Sequence, residues 1–246
     1  MNDKDFEQTL VLIKPDALKN SLTGYVLSQL SEFHTGLRFA GAKIVHVTKM
    51  LAEEHYAEHK GKVFFPALIE YITGVAHSPN NPGTRRVIAL VYQGPGAVKK
   101  IRDLAGPTNP LVARENKPGC IRALGTIVPL KDAAGNIIGE RMDNLIHASA
   151  SDAEAEREIK LWFKPLDIPP AMRSYPAKKC EEHYYINDGR RLSINYESGS
   201  ECLLAPGISA WESDLEALCL LQAGKPSVCS LAAVAAKYLI NEQIEE

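Results

Sequence analysis

The chain of 246 residues has no apolar run approaching the roughly 20 residues that a membrane-spanning helix needs. Its most apolar late stretch, residues 227–240, is interrupted by Lys237. The first eight residues are mostly polar or charged and lack the apolar stretch of an export signal. An excess of charge of one sign is missing as well. With 28 Lys and Arg against 30 Asp and Glu, the formal charge of −2 gives no bulk attraction to nucleic acid or to an anionic membrane. The five cysteines, at 120, 180, 202, 219 and 229, are scattered, and no pair has zinc-finger spacing. Without an export signal they are expected to be reduced thiols, and the protein cytoplasmic.

What is present suffices for a core: 45% of the residues are hydrophobic. The length allows one large domain, or a medium domain with an appendage. Residues 9–13 form a continuous apolar run that fits a buried strand. Leu22, Val26, Leu30 and Phe33 recur at helical spacing, with Thr23 as the expected N-cap and Gly36 as the stop. Residues 39–47 read as a strand, 52–59 and 65–72 as helices, 86–92 as a strand and 96–104 as a helix. The stretch 74–84, with its prolines, glycines and asparagines, reads as a loop. Residues 106–119 read as a long irregular loop, of the kind that more often carries function than not. Residues 120–130 read as a strand and 132–136 as a turn. Ser151 starts a helix to about residue 163, with Glu154 completing a capping box.

The order β-α-β, helices, β-α-β predicts an α+β fold of the ferredoxin-like, split βαβ type, an antiparallel sheet with helices. Four prolines within 165–176 separate this unit from a small C-terminal extension. The expected division is a catalytic domain over 1–165 and an extension of unknown role over 166–246. In the extension, 184–194 read as short strands, and 214–222 and 227–240 as helices.

The chemistry concentrates in Asn-Leu-Ile-His-Ala-Ser at 144–149. Histidine titrates near neutrality, so its imidazole serves as a free nucleophile, and its N–P bond stays labile. The other ring nitrogen needs an acceptor to fix the tautomer, and Glu158 lies on the helix that follows. Phosphoryl transfer otherwise needs positive charge around the equatorial oxygens. Lys14, Arg102 and Arg122 are the candidate cations, and Thr108 a neutral donor.

Seven segments occur in an order that resembles nucleoside diphosphate kinases, spanning about residues 7–166. They are Thr-Leu-Val-Leu-Ile-Lys-Pro-Asp at 9–16, His-Tyr at 55–56, Phe-Phe-Pro at 64–66 and Gly-Pro-Thr-Asn-Pro at 106–110. The others are Lys-Pro-Gly-Cys-Ile-Arg at 117–122, the His147 segment itself, and Glu-Ile-Lys-Leu-Trp-Phe at 158–163. The resemblance implies a ferredoxin-like fold and ping-pong transfer of a γ-phosphate from a nucleoside triphosphate such as ATP to a nucleoside diphosphate. It makes His147 the phosphorylated residue, oriented by Glu158, with Ser149 supporting the site and Tyr56 lining it. Lys14 would contact phosphate and ribose, Phe64 would stack on the base, and Asn144 would bond the ribose hydroxyl. Arg102, Thr108 and Arg122 would hold the phosphates. Mg2+ would arrive on the nucleotide phosphates, with no dedicated protein ligand. The family also implies a homo-oligomer; no membrane and no specific nucleic acid are expected as partners.

The sequence departs from the family pattern in places. Ala148 and Ala150 stand where the family has Gly and an acid, and 74–85 and 131–143 read as insertions. Without a gap in the second, Arg141 takes the place of an apolar residue beside the base. These departures motivate an alternative, a nucleotide-binding or scaffolding module with the same fold and weakened turnover. His-x-x-Glu-His at 55–59 matches an inverted zinc-peptidase pattern but has no third ligand downstream, and 224–227 lacks the glycine and contiguous Lys-Ser of a P-loop.

Overall fold

All six side chains of β1 (Gln8–Ile13) are buried, and that explains its place in the molecule. Successive side chains of a strand face opposite ways. Leu10 and Leu12 enter one apolar cluster, Val11 and Ile13 another. A strand covered on both faces reads as a continuous apolar run. The computed structural model describes residues 7–187 and 191–239.

After β1 come three short helices, α1 (Pro15–Lys19), α2 (Thr23–Gln29) and α3 (Glu32–Thr35), and the strand β2 (Arg38–Val45). Then follow α4 (Lys49–His55), α5 (Phe65–Ile72), β3 (Val87–Gln93), α6 (Ala97–Ala105) and α7 (Pro110–Asn116). Next come the hairpin β4 (Thr126–Lys131) and β5 (Ile137–Asp143), the short β6 (Ile146–Ala148) and α8 (Asp152–Trp162). The main sheet has the order β2-β3-β1-β6, and β1 is antiparallel to both its neighbours. This is the expected split βαβ arrangement, with β3 inserted between β1 and β2. Helices α4, α5 and α8 cover the Leu10 face; α2 and α6 cover the Val11 face.

Several boundaries differ from the sequence reading. The helix expected to start behind a Thr23 cap begins at Thr23 itself, with no side-chain cap at Leu22. It breaks after Gln29, and a new turn starts behind Ser31, whose hydroxyl accepts from the His34 N–H. Phe33, counted in the apolar stripe, consequently points to solvent at 95% exposure. Gly36 does end the run, at φ 64°, where a side chain would be strained. The supposed loop 106–119 contains α7, because Asn109 accepts from the N–H groups of Leu111 and Val112 and Pro110 opens the first turn. The strand expected over 120–130 starts only at Thr126. Before it, residues 121–124 make a 3₁₀ turn. A Cβ on Gly125 would meet the Asp143 carbonyl at 2.5 Å, so the chain turns here around a glycine.

The C-terminal residues build β7 (Ala177–Lys179), β8 (Tyr184–Asn187), β9 (Arg191–Ser193), β10 (Glu201–Leu204), β11 (Ser209–Trp211), α9 (Glu212–Gln222) and α10 (Leu231–Tyr238). β7 pairs with β11, and β8 with β9 and β10, around a separate core that includes Tyr184, Leu204, Leu218 and Val234. The helix expected over 214–222 starts earlier, at Glu212, the one expected over 227–240 is shortened to Leu231–Tyr238, and Ile240 lies outside the described residues. Trp211 ties this part to the first. Its ring is fully buried among the residues of the Leu10 cluster, and its Nε1–H donates to the Phe163 carbonyl at 2.7 Å. Among the described residues, no helix is long and apolar enough to cross a membrane.

Candidate active site

His147 lies in β6, opposite Leu12, and its ring reaches the wall of a cavity of about 440 Å³. The backbone that brings it there is strained. Leu145 has φ 67°, and the Ile146 N–H bonds the Asn144 carbonyl two residues back, which makes a tight γ-turn. Such a conformation costs on the order of 1–3 kcal/mol and persists only where its surroundings hold it. Here the holder is the other end of β1. The Lys14 N–H donates to the Leu145 carbonyl at 2.8 Å, and the Asp16 carboxylate accepts the Leu145 N–H at 2.9 Å. The Lys-Pro-Asp and Asn-Leu-Ile-His segments are therefore two halves of one device.

The His147 Nε2 is 2.9 Å from the Glu158 carboxylate, and that same oxygen accepts the Ser149 hydroxyl at 2.6 Å. Burial alone would raise the Glu158 carboxyl. The His147 imidazole, His55 and the Ser149 hydroxyl outweigh it and hold the group at about 2. A carboxylate on Nε2 fixes the proton there and leaves Nδ1 as the lone-pair nitrogen. Nδ1 makes no hydrogen bond among the described residues.

Three cations share the cavity wall. Arg122 is buried and locked by carbonyls: its Nη1–H reaches Gly106 at 3.0 Å and its Nη2–H reaches Ile146 at 3.2 Å. Burial, then the nearby Arg102, pull it down to about 10. Lys14 is also buried, and its Nζ donates to the Asn144 Oδ1 at 2.7 Å. Burial, then the Arg122 charge, lower it to about 7. Arg102, on α6, and Thr108 are exposed and border the same cavity.

The structure gathers every residue that the sequence reading selected. Lys14, Tyr56, Phe64, Arg102, Thr108, Arg122, Asn144, His147 and Glu158 line the cavity, and Ser149 sits behind Glu158. Asn144 also donates through Nδ2 to the Thr108 carbonyl at 2.9 Å. Phe64, ahead of α5, leaves its ring 42% exposed. Tyr56 is buried, which raises its phenol above the ordinary value. Ala148, where a glycine was expected, lies buried opposite Val11, so the sheet accommodates its methyl group.

Further residues line the cavity, and apart from Arg141 the sequence reading gave them no role at the site. His55 packs edge-on against His147, ring centres 4.5 Å apart, and burial, then His147, lower it well below its ordinary value. Its Nδ1 accepts the Trp162 indole N–H at 3.2 Å, so the neutral ring carries its proton on Nε2. Tyr71 accepts the Asn144 N–H at 3.0 Å through its hydroxyl. Glu140, Arg141 and Met142 add a wall from β5.

Among the described residues, the one group with metal-ligand spacing is His55, His147 and Glu158. Its mixed nitrogen and oxygen donors suit zinc rather than magnesium, and the Trp162 N–H occupies the unprotonated nitrogen of His55. The His55–His59 pattern does not form a pair: His59 packs on Tyr56 and Phe64. Around the three cations the donor chemistry fits phosphate oxygens.

A sequence profile described as nucleoside diphosphate kinase matches residues 7–168. The chain is 39% identical over 203 residues to the nucleoside diphosphate kinase of Thermococcus kodakarensis, covering 82% of this chain and 99% of that one. To the Pyrococcus furiosus enzyme of the same name it is 41% identical over 164 residues, 67% of this chain and 87% of that one. Among solved structures, the Aquifex aeolicus nucleoside diphosphate kinase superposes with a TM-score of 0.52 at 30% identity, covering 66% of this chain and 99% of that one. A halophilic nucleoside diphosphate kinase from Halobacterium salinarum, in complex with CDP, gives 0.50 at 34%, covering 67% and 91%. With the profile spanning most of the chain and relatives near 40% identity, the chain belongs to the nucleoside diphosphate kinase family and is a phosphotransferase.

Proposed function

We propose that the protein moves the γ-phosphate of a nucleoside triphosphate to a nucleoside diphosphate through a phosphohistidine at His147. The observation that carries this reading is the His147–Glu158 pair at 2.9 Å, which leaves Nδ1 as a lone-pair donor on a cavity wall shared with Lys14, Arg102 and Arg122. In the first half-reaction Nδ1 attacks the γ-phosphorus. The bond from that phosphorus to the bridging oxygen breaks, and the electron pair leaves with the diphosphate. Glu158 keeps the Nε2 proton and balances the charge that the ring gains. Lys14, Arg102, Arg122 and the Thr108 hydroxyl supply positive or donor groups to the phosphate oxygens. In the second half-reaction a diphosphate oxygen attacks the phosphorus and Nδ1 leaves.

The proposal gives Phe64 the face of the base, Asn144 the ribose hydroxyl, and Tyr56 and Ser149 supporting places. Magnesium travels with the nucleotide and neutralises its phosphates. The catalytic domain is assigned to 1–165 and the remainder to an extension. A closed homo-oligomer in the cytoplasm completes the reading; the five free thiols fit a reducing compartment.

The test is labelling with γ-32P-ATP. The full chain should take up acid-labile, base-stable label, lose it on adding a nucleoside diphosphate, and fail to take it up as His147→Asn. A folded wild-type protein that binds nucleotide but takes no label would overturn the proposal in favour of a scaffolding role.

A further inference from the structure

The two oxygens of Glu158 are used differently. Oε2 takes both His147 Nε2 and the Ser149 hydroxyl. Oε1 has His55 Nδ1 at 3.9 Å and Arg157 Nη2 at 3.7 Å, both beyond hydrogen-bond reach. His55 is 2% exposed, and the charged or titratable groups that face it are His147, Glu158, Arg157 and Lys14. Its neutral ring has two possible tautomers. A proton on Nδ1 would sit beside the Glu158 carboxylate. A proton on Nε2 meets nothing, because that nitrogen is buried with no hydrogen-bond partner among the described residues.

In a buried site a bond to a carboxylate is the stronger option, so a His55 ring without other partners would carry its proton on Nδ1. The structure holds the other form. An indole N–H can only donate, and that of Trp162 lies 3.2 Å from Nδ1, which must therefore be bare. Trp162 stands four residues after Glu158 on α8, so both face the same way. One helix thus presents the carboxylate and the group that keeps His55 off it. Arg157, on the same helix, donates to the carbonyls of Glu54 and His55 at 3.3 Å and ties the end of α4 in place. A new donor on Oε1 would pull the carboxylate towards His55 and weaken its hold on the His147 Nε2–H. We infer that Trp162 and His55 are positioning residues: the indole N–H fixes His55 in the tautomer that cannot bond Glu158, and so reserves the carboxylate for His147. The inference rests on the function proposed above and deepens it.

Trp162→Phe tests it, since the variant keeps an aromatic ring and loses the N–H. Imidazole 15N NMR of the full chain needs no turnover. His55 should be protonated on Nε2 in the wild type and on Nδ1 in the variant, where the His147 Nε2 proton should move upfield as its bond to Glu158 lengthens. A role in packing alone would move neither signal. Phosphorylation of His147 by γ-32P-ATP should slow at least about tenfold in Trp162→Phe. Adding His55→Phe removes the competing donor and should recover much of that loss, because both partners are then apolar. An Nδ1 proton on His55 in the wild type would overturn the inference by itself, even if the variant did not fold. So would an unchanged tautomer in folded Trp162→Phe, or a double variant as slow as the single one. Each of these leaves phosphoryl transfer standing. A wild type that takes no label would overturn the proposed function instead, and the spectra would still decide the tautomer.

Discussion

His77 Nε2 and Asp143 Oδ2 stand 2.8 Å apart, both side chains buried, and join the two segments that the sequence sets apart as insertions, 74–85 and 131–143. His77 also leans on Tyr71, ring centres 5.3 Å apart, so the contact reaches the residue that holds the Asn144 N–H. Asp143 has its carboxyl held below the ordinary value, because His77 and Arg141 together outweigh its burial. Removing His77 leaves Asp143 with a single partner. We expect His77→Leu to cost roughly 1–3 kcal/mol in urea unfolding, and to raise KM for diphosphates more than it lowers kcat. A variant as stable as wild type with unchanged KM would show that the two insertions act independently.

The Glu158 carboxyl, at about 2 against an ordinary 4.5, makes a prediction with a definite sign. Its folded value is depressed, so the folded state binds this proton less readily than the unfolded chain. The stabilisation is complete above about 4.5 and is lost as pH falls from there to about 2. It is on the order of 3 kcal/mol. Glu158→Gln should flatten the stability profile within that window, destabilising the protein near neutrality and changing it little below about 2, as read by thermal melts across pH. It should also slow phosphorylation of His147 by about 10²-fold or more, since the amide no longer balances the charge that the ring gains. A normal phosphorylation rate in this variant would remove Glu158 from the mechanism.

Lys14 links nucleotide binding to protons. At about 7, set by burial and then by Arg122, the free protein near neutrality is a mixture of charged and neutral amine. A phosphate group beside it favours the ammonium, so binding takes up a proton above pH 7. Affinity should be greatest below pH 7 and weaken as pH rises towards the ordinary lysine range near 10.5. Calorimetry in buffers of different ionisation enthalpy measures that uptake directly. Lys14→Arg, which stays charged, should abolish it. Binding heats that do not depend on buffer in the wild type would contradict the lowered value.

Much of this was legible in the chain. The run at 9–13 announced its strand because both faces of β1 are covered. The site residues could be named because short motifs carry them, and the strained turn at Leu145 needs the Lys-Pro-Asp segment as its holder. Other features depend on contacts that no local pattern encodes. His55 is a site residue only because Trp162, 107 positions later, fixes its tautomer and His147 packs on it. Helix α7 is seven residues long, so its Asn109 cap and Pro110 were outweighed by the composition of the surrounding loop. The run at 120–130 is mostly apolar, yet Gly125 lets it turn where Asp143 and Pro110 crowd the backbone. Of the wall made by β5, a gapless comparison points only to Arg141, which does line the cavity; that Glu140 and Met142 border it too depends on β5 folding back against α5.

Lys237 Nζ donates at 2.6 Å both to Asp214 and to the Lys160 carbonyl, and Asp214 also accepts the Tyr238 hydroxyl at 3.0 Å. Lys237 and Asp214 are 3% and 1% exposed. The cluster therefore bolts α9 and α10 to α8, the helix that carries Glu158. Burial lowers the Lys237 ammonium, and Asp214 works against that shift. For such a pair, losing one charge is costlier than losing both, because the survivor stays buried without its partner. Lys237→Met should cost about 3–5 kcal/mol, and adding Asp214→Leu should recover part of that loss. Denaturant unfolding of the two single variants and the double variant forms the cycle that decides. Additive losses would mean that the groups do not interact. A recovery in the double variant accompanied by a restored rate of His147 phosphorylation would show that the extension acts on the site through α8.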